Sequence, residues 1–366
     1  MTAHAQSKYG TIEPMLAALE ELVRCESPTD DLSACLEVVG LAARIAEEEL
    51  GQSARILQVN GRPVFWWGAD QPQIILLGHL DTVWPKGSFE PLWSVEGDVI
   101  RGPGVFDMKA GFIQALFALK GISGSVALVA TTDEETGSET SRELIKQISA
   151  NSRAVLVLEA SAEGRVKTGR KGTSMYQVSV YGRAAHAGLE PEKGINATTE
   201  MARIVLALES LEDISLGTTV VPTVLESGTT TNTVPELATL DIDIRSYSQD
   251  ELIRVDQAIR TLKPHHPQAR IEILGGLNRP PLESAATMDL YQRAQVVATR
   301  LGFELGHASV GGASDGNFAA AAGAQVLDGL GAVGAGAHAQ NEWASVNALS
   351  ERSNFLHHFI EELLHE

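Results

Sequence analysis

The run Ile74–Asp81, IILLGHLD, constrains this chain more than any other stretch. Its four consecutive aliphatics suit a strand buried on both faces, and Gly78 then ends the run. His79 and Asp81 are thereby placed at the carboxyl end of a central strand. Ligands bind at that edge of an open α/β sheet, so this pair is the first place to look for chemistry. A His-x-Asp also describes a histidine hydrogen-bonded in a turn, and what the other strand ends supply decides between the two.

Two further apolar runs end in the same way. Val126–Thr131 leads into TDEE, which puts Asp133, Glu134 and Glu135 at a second strand's carboxyl end. Adjacent carboxylates repel and need a reason to stand together. They are either a solvated acidic turn or a metal ligand beside a general base. Ala154–Leu158 terminates at Glu159. The loop after His79 is too long for a simple connection and delivers Asp107 just ahead of a helix with Phe112, Ala115, Leu116 and Leu119 on one face. Asp107 is therefore either an N-cap or a further ligand. His79, Asp107, Glu135 and Glu159 form the donor set of a binuclear site for divalent metals, because zinc accepts imidazole nitrogen and carboxylate oxygen and one carboxylate can bridge two cations. His338, in a glycine-rich stretch with Asn341 and Glu342 close behind, stands as the second imidazole. His265, His266, His307, His357 and His358 read as structural.

At 366 residues the chain has room for two domains. Helices are expected over Ile12–Arg24 and Cys35–Leu50, with short strands at Ala54–Gln58 and Val64–Trp67. From about Gly169 the pattern changes: strand Ser174–Tyr181, helix Asn196–Leu211, strands Val220–Leu225 and Leu237–Arg245, helix Glu251–Leu262 and strand Ala269–Leu274. Ser248 with Glu251 has the spacing of a capping box for that second helix. The order β-α-β-β-α-β is a ferredoxin-like split unit. The expected fold is α/β: a mixed-sheet catalytic domain formed by 1–169 and 281–366, around an inserted α+β domain at 170–280. Helix Ala286–Leu301 resumes the first domain and an amphipathic helix, Ser353–Leu364, closes it.

A formal net charge of −19 argues against nucleic acid or an anionic membrane surface as a partner. Cys25 and Cys35 are the only cysteines and imply no disulfide framework. No stretch approaches the roughly 18 apolar residues of a membrane span, and the opening residues carry no apolar run of signal-peptide length, so a cytoplasmic enzyme is expected.

Eight ordered motifs carry a resemblance over nearly the whole chain: GHLDTV (78–83), GPGVFDMKAG (102–111), TTDEETGS (131–138), VLEAS (157–161), GRAAHAG (182–188), TNTVP (231–235), GGASDGN (311–317) and GAHAQNEW (336–343). The chain resembles the dizinc exopeptidases that include glutamate carboxypeptidases, acetylornithine deacetylases, succinyl-diaminopimelate desuccinylases and aminoacylases, and the glutamate carboxypeptidase-like subgroup above all. The resemblance implies two zinc ions, with cobalt as a possible substitute. His79, Asp107 and Glu159 would hold one, and Asp107, Glu135 and His338 the other, with Asp107 bridging. It implies further that Asp81 accepts the outer N–H of His79, that Glu134 is the general base to a zinc-activated water, and that the Asp107–Met108 peptide is cis. The 170–280 insertion would be a lid and dimerisation domain, from which His186 reaches into the site of a homodimeric partner to stabilise the oxyanion. Asn232, Arg245, Arg279 and the Gly311–Gly312 turn would hold the free α-carboxylate of a small-molecule or peptide substrate. Arg245 and Arg279 are the more telling pair, read as interrupting uncharged surroundings.

Two positions depart from or refine the family pattern. Many members have two glycines after the lysine of the second motif, whereas this chain has Ala110–Gly111, which sets a methyl group where backbone is expected to run close. Glu159, in place of an aspartate, points to carboxypeptidases and deacylases over aminopeptidases. The expected reaction is hydrolysis of an amide with release of a C-terminal amino acid. An N-acyl-amino-acid deacylase shares every metal residue and differs only in its pocket. A binding protein on the same fold is the alternative of a different class, opposed by the intact Glu134 and complete ligand set. A structural zinc domain would be closed and cysteine-rich.

Overall fold

The computed structural model describes residues 12–365, which fall into two compact units. One contains the chain up to Gly169, Leu282–Val310 and the chain from Ser314 onward; the other contains Arg170–Pro281 and Gly311–Ala313.

The first unit is built on a mixed six-stranded sheet in the order Arg55–Val59, Arg62–Gly68, Val126–Thr131, Ile74–His79, Ala154–Val157, Val326–Leu327. The last four run parallel and the first two join as an antiparallel hairpin. Successive side chains point to opposite faces, and both faces are covered. Ile74 and Leu76 share one face with Phe65, Trp67, Leu128 and Leu156, under the helices Ile12–Arg24, Leu32–Leu50, Ala110–Ala118 and Val346–Leu364. Ile75 and Leu77 share the other with Val64, Trp66, Val129 and Val155, against Ile145 of helix Arg142–Ser149 and Phe318 of helix Asp315–Ala321. This double burial explains why the strands read as unbroken apolar runs, each large aliphatic contributing about 1.5–3 kcal/mol.

Register positions the chemistry. His79 lies opposite Thr131, and Leu77 opposite Val157, so His79, the turn after Thr131 and Glu159 leave the sheet at one edge. The loop after His79 is less irregular than its composition suggests, because its second half forms strands Ser94–Glu96 and Val99–Arg101. These join Trp343–Ser345 and Gly334–Ala335 in a small antiparallel sheet, and His338 sits in the turn of the resulting 334–345 hairpin with φ 61°.

Close backbone approach is required at Gly111. A Cβ there would stand 2.1 Å from the carbonyl oxygen of Leu158, the residue before Glu159. Gly331 meets the same oxygen from elsewhere, again at 2.1 Å. The chain keeps glycine where the strand end needs it, and the methyl of Ala110 is simply buried in the core.

The last helix begins at Val346 rather than Ser353, with Ser345 Oγ accepting from Ala348 N at 3.1 Å. Arg352, Ser353 and His357 are buried on its inner face, and their polarity hides the helical period from a reading of apolar spacing. Among the described residues no helix is long and apolar enough to cross a membrane.

The second unit follows the β-α-β-β-α-β order, with an antiparallel sheet arranged Thr219–Ser227, Leu237–Ser246, Gly172–Tyr181, Arg270–Arg279. Helices Ala197–Glu209 and Gln249–Arg260 cover one face, packing Met201, Ile204, Leu252 and Val255 against Val178, Leu240 and Ile242. The expected capping box at 248–251 does not form. Ser248 makes no side-chain cap bond, and the Glu251 carboxylate is taken by Arg254 at 2.8 Å and Thr218 Oγ1 at 2.9 Å. In the first unit a capping box does form, between Ser314 and Asn317.

Candidate metal centre

All five expected metal residues and Glu134 belong to the first unit. His79 is fully buried at the end of its strand. Its Nε2 has no hydrogen-bond partner and faces Asp107 Oδ1 at 3.5 Å and Glu159 Oε1 at 3.6 Å. The other oxygen of Asp107 faces His338 Nε2 at 3.4 Å, and that nitrogen lies 3.0 Å from Glu135 Oε2. The result is two imidazole–carboxylate triads that share Asp107 through opposite oxygens. Nitrogen and oxygen ligands held about 2.0–2.2 Å from a tetrahedral zinc stand about 3.3–3.6 Å apart. Three of the four separations are within about 0.1 Å of that band, too long for hydrogen bonds and suited to donors around a shared cation. The residues present fit a pair of divalent metals.

Asp107 is not an N-cap. It lies inside an irregular turn, Val105–Lys109, with φ −117° and ψ 90°, and the following helix begins at Ala110. The Asp107–Met108 peptide is cis, as the resemblance implies. Asp81 orients His79 in a different way from the one expected: its backbone carbonyl is the nearer partner of Nδ1 at 3.0 Å, and its carboxylate Oδ1 is at 3.4 Å. An N–H on Nδ1 leaves the lone pair of Nε2 for the centre. Oδ2 of Asp81 accepts from Thr29 Oγ1 at 2.8 Å and from Glu135 N at 3.2 Å, so one carboxylate steadies residues of both triads. Thr29 escaped the sequence reading because no spacing links it to a strand 52 residues away.

Asp133 explains why three acids stand in a row. Its carboxylate turns away from the centre and accepts from Thr140 N and Ser141 N at 2.8 and 3.2 Å, and from both hydroxyls at 2.5 and 2.6 Å. That fixes the single helical turn Glu134–Thr136, which carries the other two. Carboxylate oxygens of Glu134 and Glu159 and a ring nitrogen of His79 lie within 4.8 Å of one another. Of the remaining histidines, His357 Nδ1 donates to the carbonyl of Ala118 at 2.7 Å and His307 shares a 2.7 Å bond with Thr168 Oγ1, both structural roles.

The electrostatics show what a cation would replace. Burial favours the neutral imidazole of His79, yet the carboxylates of Asp107 and Asp81 outweigh it and raise the pKa well above the ordinary value. Asp107, together with Glu135, likewise pushes His338 up to about 10. Burial would raise Asp107, but the His338 and His79 imidazoles hold it well below the carboxylate range. Burial raises Glu135. Without metal, protons on the imidazoles balance the acids; a divalent cation displaces them. For His338 the folded pKa exceeds the unfolded value of about 6.5, so its stabilisation is complete below that pH and is lost as pH rises through about 10. In chelator, the melting temperature of wild type should exceed that of His338→Ala near pH 6 and converge with it by about pH 10. A gap that stays constant across the range would contradict the pairing.

The residues expected to bind substrate lie in the second unit. His186 pairs Ala185–His186 with Thr233–Val234, and its Nδ1 accepts from Gly188 N and Leu189 N at 3.1 and 3.2 Å. The proton of the neutral ring is thereby placed on Nε2, a donor pointing away from that turn. Asn232 is exposed, and its carbonyl accepts from Ala187 N at 2.9 Å. Arg245 does not stand in uncharged surroundings: Asp243 holds its guanidinium at 2.9 and 3.2 Å, and it donates to Gly311 O at 3.3 Å. Gly312 O accepts from Arg170 at 3.0 Å. Arg279 is only 5% exposed.

Comparison with known proteins agrees with this geometry. Carboxypeptidase G2 of a Pseudomonas species is 29% identical over 365 residues, covering 92% of this chain and 86% of that protein. A succinyl-diaminopimelate desuccinylase of Marinobacter nauticus is 25% identical over 97% of this chain and its own full length. Among solved structures, a tripeptidase of Staphylococcus aureus superposes with a TM-score of 0.77 at 20% identity, over 98% of this chain and 100% of that one. A metallo-carboxypeptidase of Sulfolobus solfataricus gives 0.73 at 18% identity, over 95% and 98%. Residues 75–362, which hold the whole donor set, match one family throughout, and the chain belongs to peptidase family M20/M25/M40, whose members are metal-dependent enzymes that hydrolyse amide bonds.

Proposed function

We propose that the chain is a dizinc carboxypeptidase that releases a C-terminal amino acid of the glutamate type from an acyl or peptidyl amide. The observation that carries the reading is the pair of triads sharing Asp107, with Glu134 beside them. His79, Asp107 and Glu159 would hold one cation, and Asp107, Glu135 and His338 the other. Bound there, the cations supply Lewis acidity that polarises the amide carbonyl and makes a water nucleophilic near neutral pH. Glu134 takes the proton from the attacking water on its carboxylate and returns it to the leaving nitrogen. His186, with its proton on Nε2, donates to the developing oxyanion. Arg245, pre-oriented by Asp243, together with Asn232, Arg279 and the Gly311–Gly312 turn, binds the substrate's free carboxylate.

The chain works in this reading as a homodimer formed through residues 170–280, His186 of each copy serving the other's site. Support comes from the edge strand Thr219–Ser227, which leaves Val221, Val224 and Leu225 exposed beside an unpaired strand edge. Similarity to carboxypeptidase G2 favours carboxypeptidase activity, and full-length similarity to the desuccinylase keeps an N-acyl-amino-acid deacylase as the second reading. A panel of N-acyl and peptidyl amides varied at the C-terminal residue, assayed for amine release by the zinc-loaded protein, tells them apart. Preference for C-terminal glutamate across several acyl groups supports the proposal. Selectivity for one acyl group whatever the amino acid supports the deacylase. Stoichiometric metal with no turnover of any amide would leave a binding protein.

A further inference from the structure

One buried carboxylate outside the donor set is bonded to the segments that carry it. Glu342 has no exposed surface and lies four residues after His338 in the same hairpin. Its Oε1 accepts from Phe106 N at 2.8 Å and Asp107 N at 3.1 Å. Its Oε2 accepts from Gly104 N at 3.1 Å and from the indole Nε1 of Trp84 at 3.1 Å. Each oxygen thus takes two donors, and these four bonds favour the anion against the burial that raises its pKa. Gly104, in the left-handed region at φ 71°, bends the chain so that the amides of residues 104, 106 and 107 converge on the carboxylate, while the Val105 N–H turns back to Gly102 O at 3.2 Å. Trp84 belongs to the loop that leaves His79 and Asp81, and Asp107 carries the last of the bonded amides.

We propose that Glu342 is the positioning residue that holds the Asp107 turn against the His338 hairpin and so sets the spacing of the two triads. The inference rests on the metal-centre reading of Asp107 and His338. Glu342 touches neither a donor atom nor the substrate. It joins the loops of His79, Asp107 and His338, which are up to 258 residues apart in sequence, at a single point. Without its carboxylate three backbone N–H groups lose their acceptor in the interior, and replacing even one oxygen orphans those bonded to it, so the turn must shift to satisfy them. The 3.4 Å separation of Asp107 Oδ2 from His338 Nε2 would then be lost.

The test measures Zn2+ affinity by competition with a chromophoric chelator and the visible absorption of the Co2+-loaded protein. Glu342→Gln places an NH2 group where an oxygen accepts two N–H donors, and should weaken Zn2+ binding about 10–100-fold and shift the Co2+ bands. Trp84→Phe removes one donor and should weaken it about 2–10-fold. In the double variant the effect of Trp84→Phe should vanish, because both act through one carboxylate. A change in melting temperature alone, with wild-type Zn2+ affinity and Co2+ spectrum, would overturn the inference and leave Glu342 a packing element. If Glu342→Gln does not fold, Trp84→Phe decides the matter by the same two readouts. Wild-type protein that takes up no Zn2+ overturns the metal-centre reading and this inference with it; tight Zn2+ binding unaltered in the variants overturns this inference alone.

Discussion

An Asp107→Asn variant should lose both metal ions and, with them, all hydrolysis above background. The two oxygens of Asp107 are divided between the halves of the centre, Oδ1 at 3.5 Å from His79 and Oδ2 at 3.4 Å from His338. Asparagine preserves volume and the backbone N–H that Glu342 accepts, so the turn has no steric reason to move. It removes the negative charge and puts an NH2 group, which cannot donate a lone pair, in one half. The other half keeps a neutral carbonyl oxygen in place of a carboxylate. Loss of affinity should exceed the roughly 10–100-fold typical when only a partner of a ligand is removed. Equilibrium dialysis against micromolar zinc followed by elemental analysis reads the result, with two equivalents expected for wild type and none for the variant. Full retention of metal would rule out a bridging role for Asp107, and retention of one equivalent would show that the two halves are filled independently.

Much of this centre was legible in sequence for one physical reason. Strands covered on both faces must be apolar throughout, so the polar residues that follow each run mark the sheet's edge, and His79, the acids 133–135 and Glu159 stand there. Parallel register then brings them together without any further signal. What holds the donors in place was not legible. Glu342 reaches Asp107 across 235 residues and Thr29 reaches Asp81 across 52, and hydrogen bonds of that kind leave no periodicity. Local rules failed where a tertiary partner competed. Glu251 has capping-box spacing from Ser248, but Arg254 and Thr218 offer its carboxylate better partners. Arg245 reads as a charge interrupting uncharged surroundings, yet Asp243, two residues away on the same face of the strand, pairs with it at 2.9 Å. The departure at Ala110 proved harmless because the close contact falls one residue later, at Gly111.

Glu134→Gln should separate binding from turnover, lowering kcat by about 10²–10⁴-fold while leaving metal content and KM close to wild type. The turn that carries residue 134 is anchored from outside the centre by the four bonds of Asp133 and by the Glu135 N–H on Asp81, none of which involves the Glu134 side chain. An amide of the same shape therefore leaves those anchors, and with them the backbone of Glu135, in place. What it cannot do is accept a proton from water and return it to the leaving nitrogen, because an uncharged amide has no basic site at neutral pH. The loss should fall on kcat, since proton transfer is made only in the transition state. Equal losses in kcat and in bound metal would instead make Glu134 a ligand, consistent with its place within 4.8 Å of His79 and Glu159. Near-wild-type kcat would remove it from the mechanism and return the base to some other group at the strand ends.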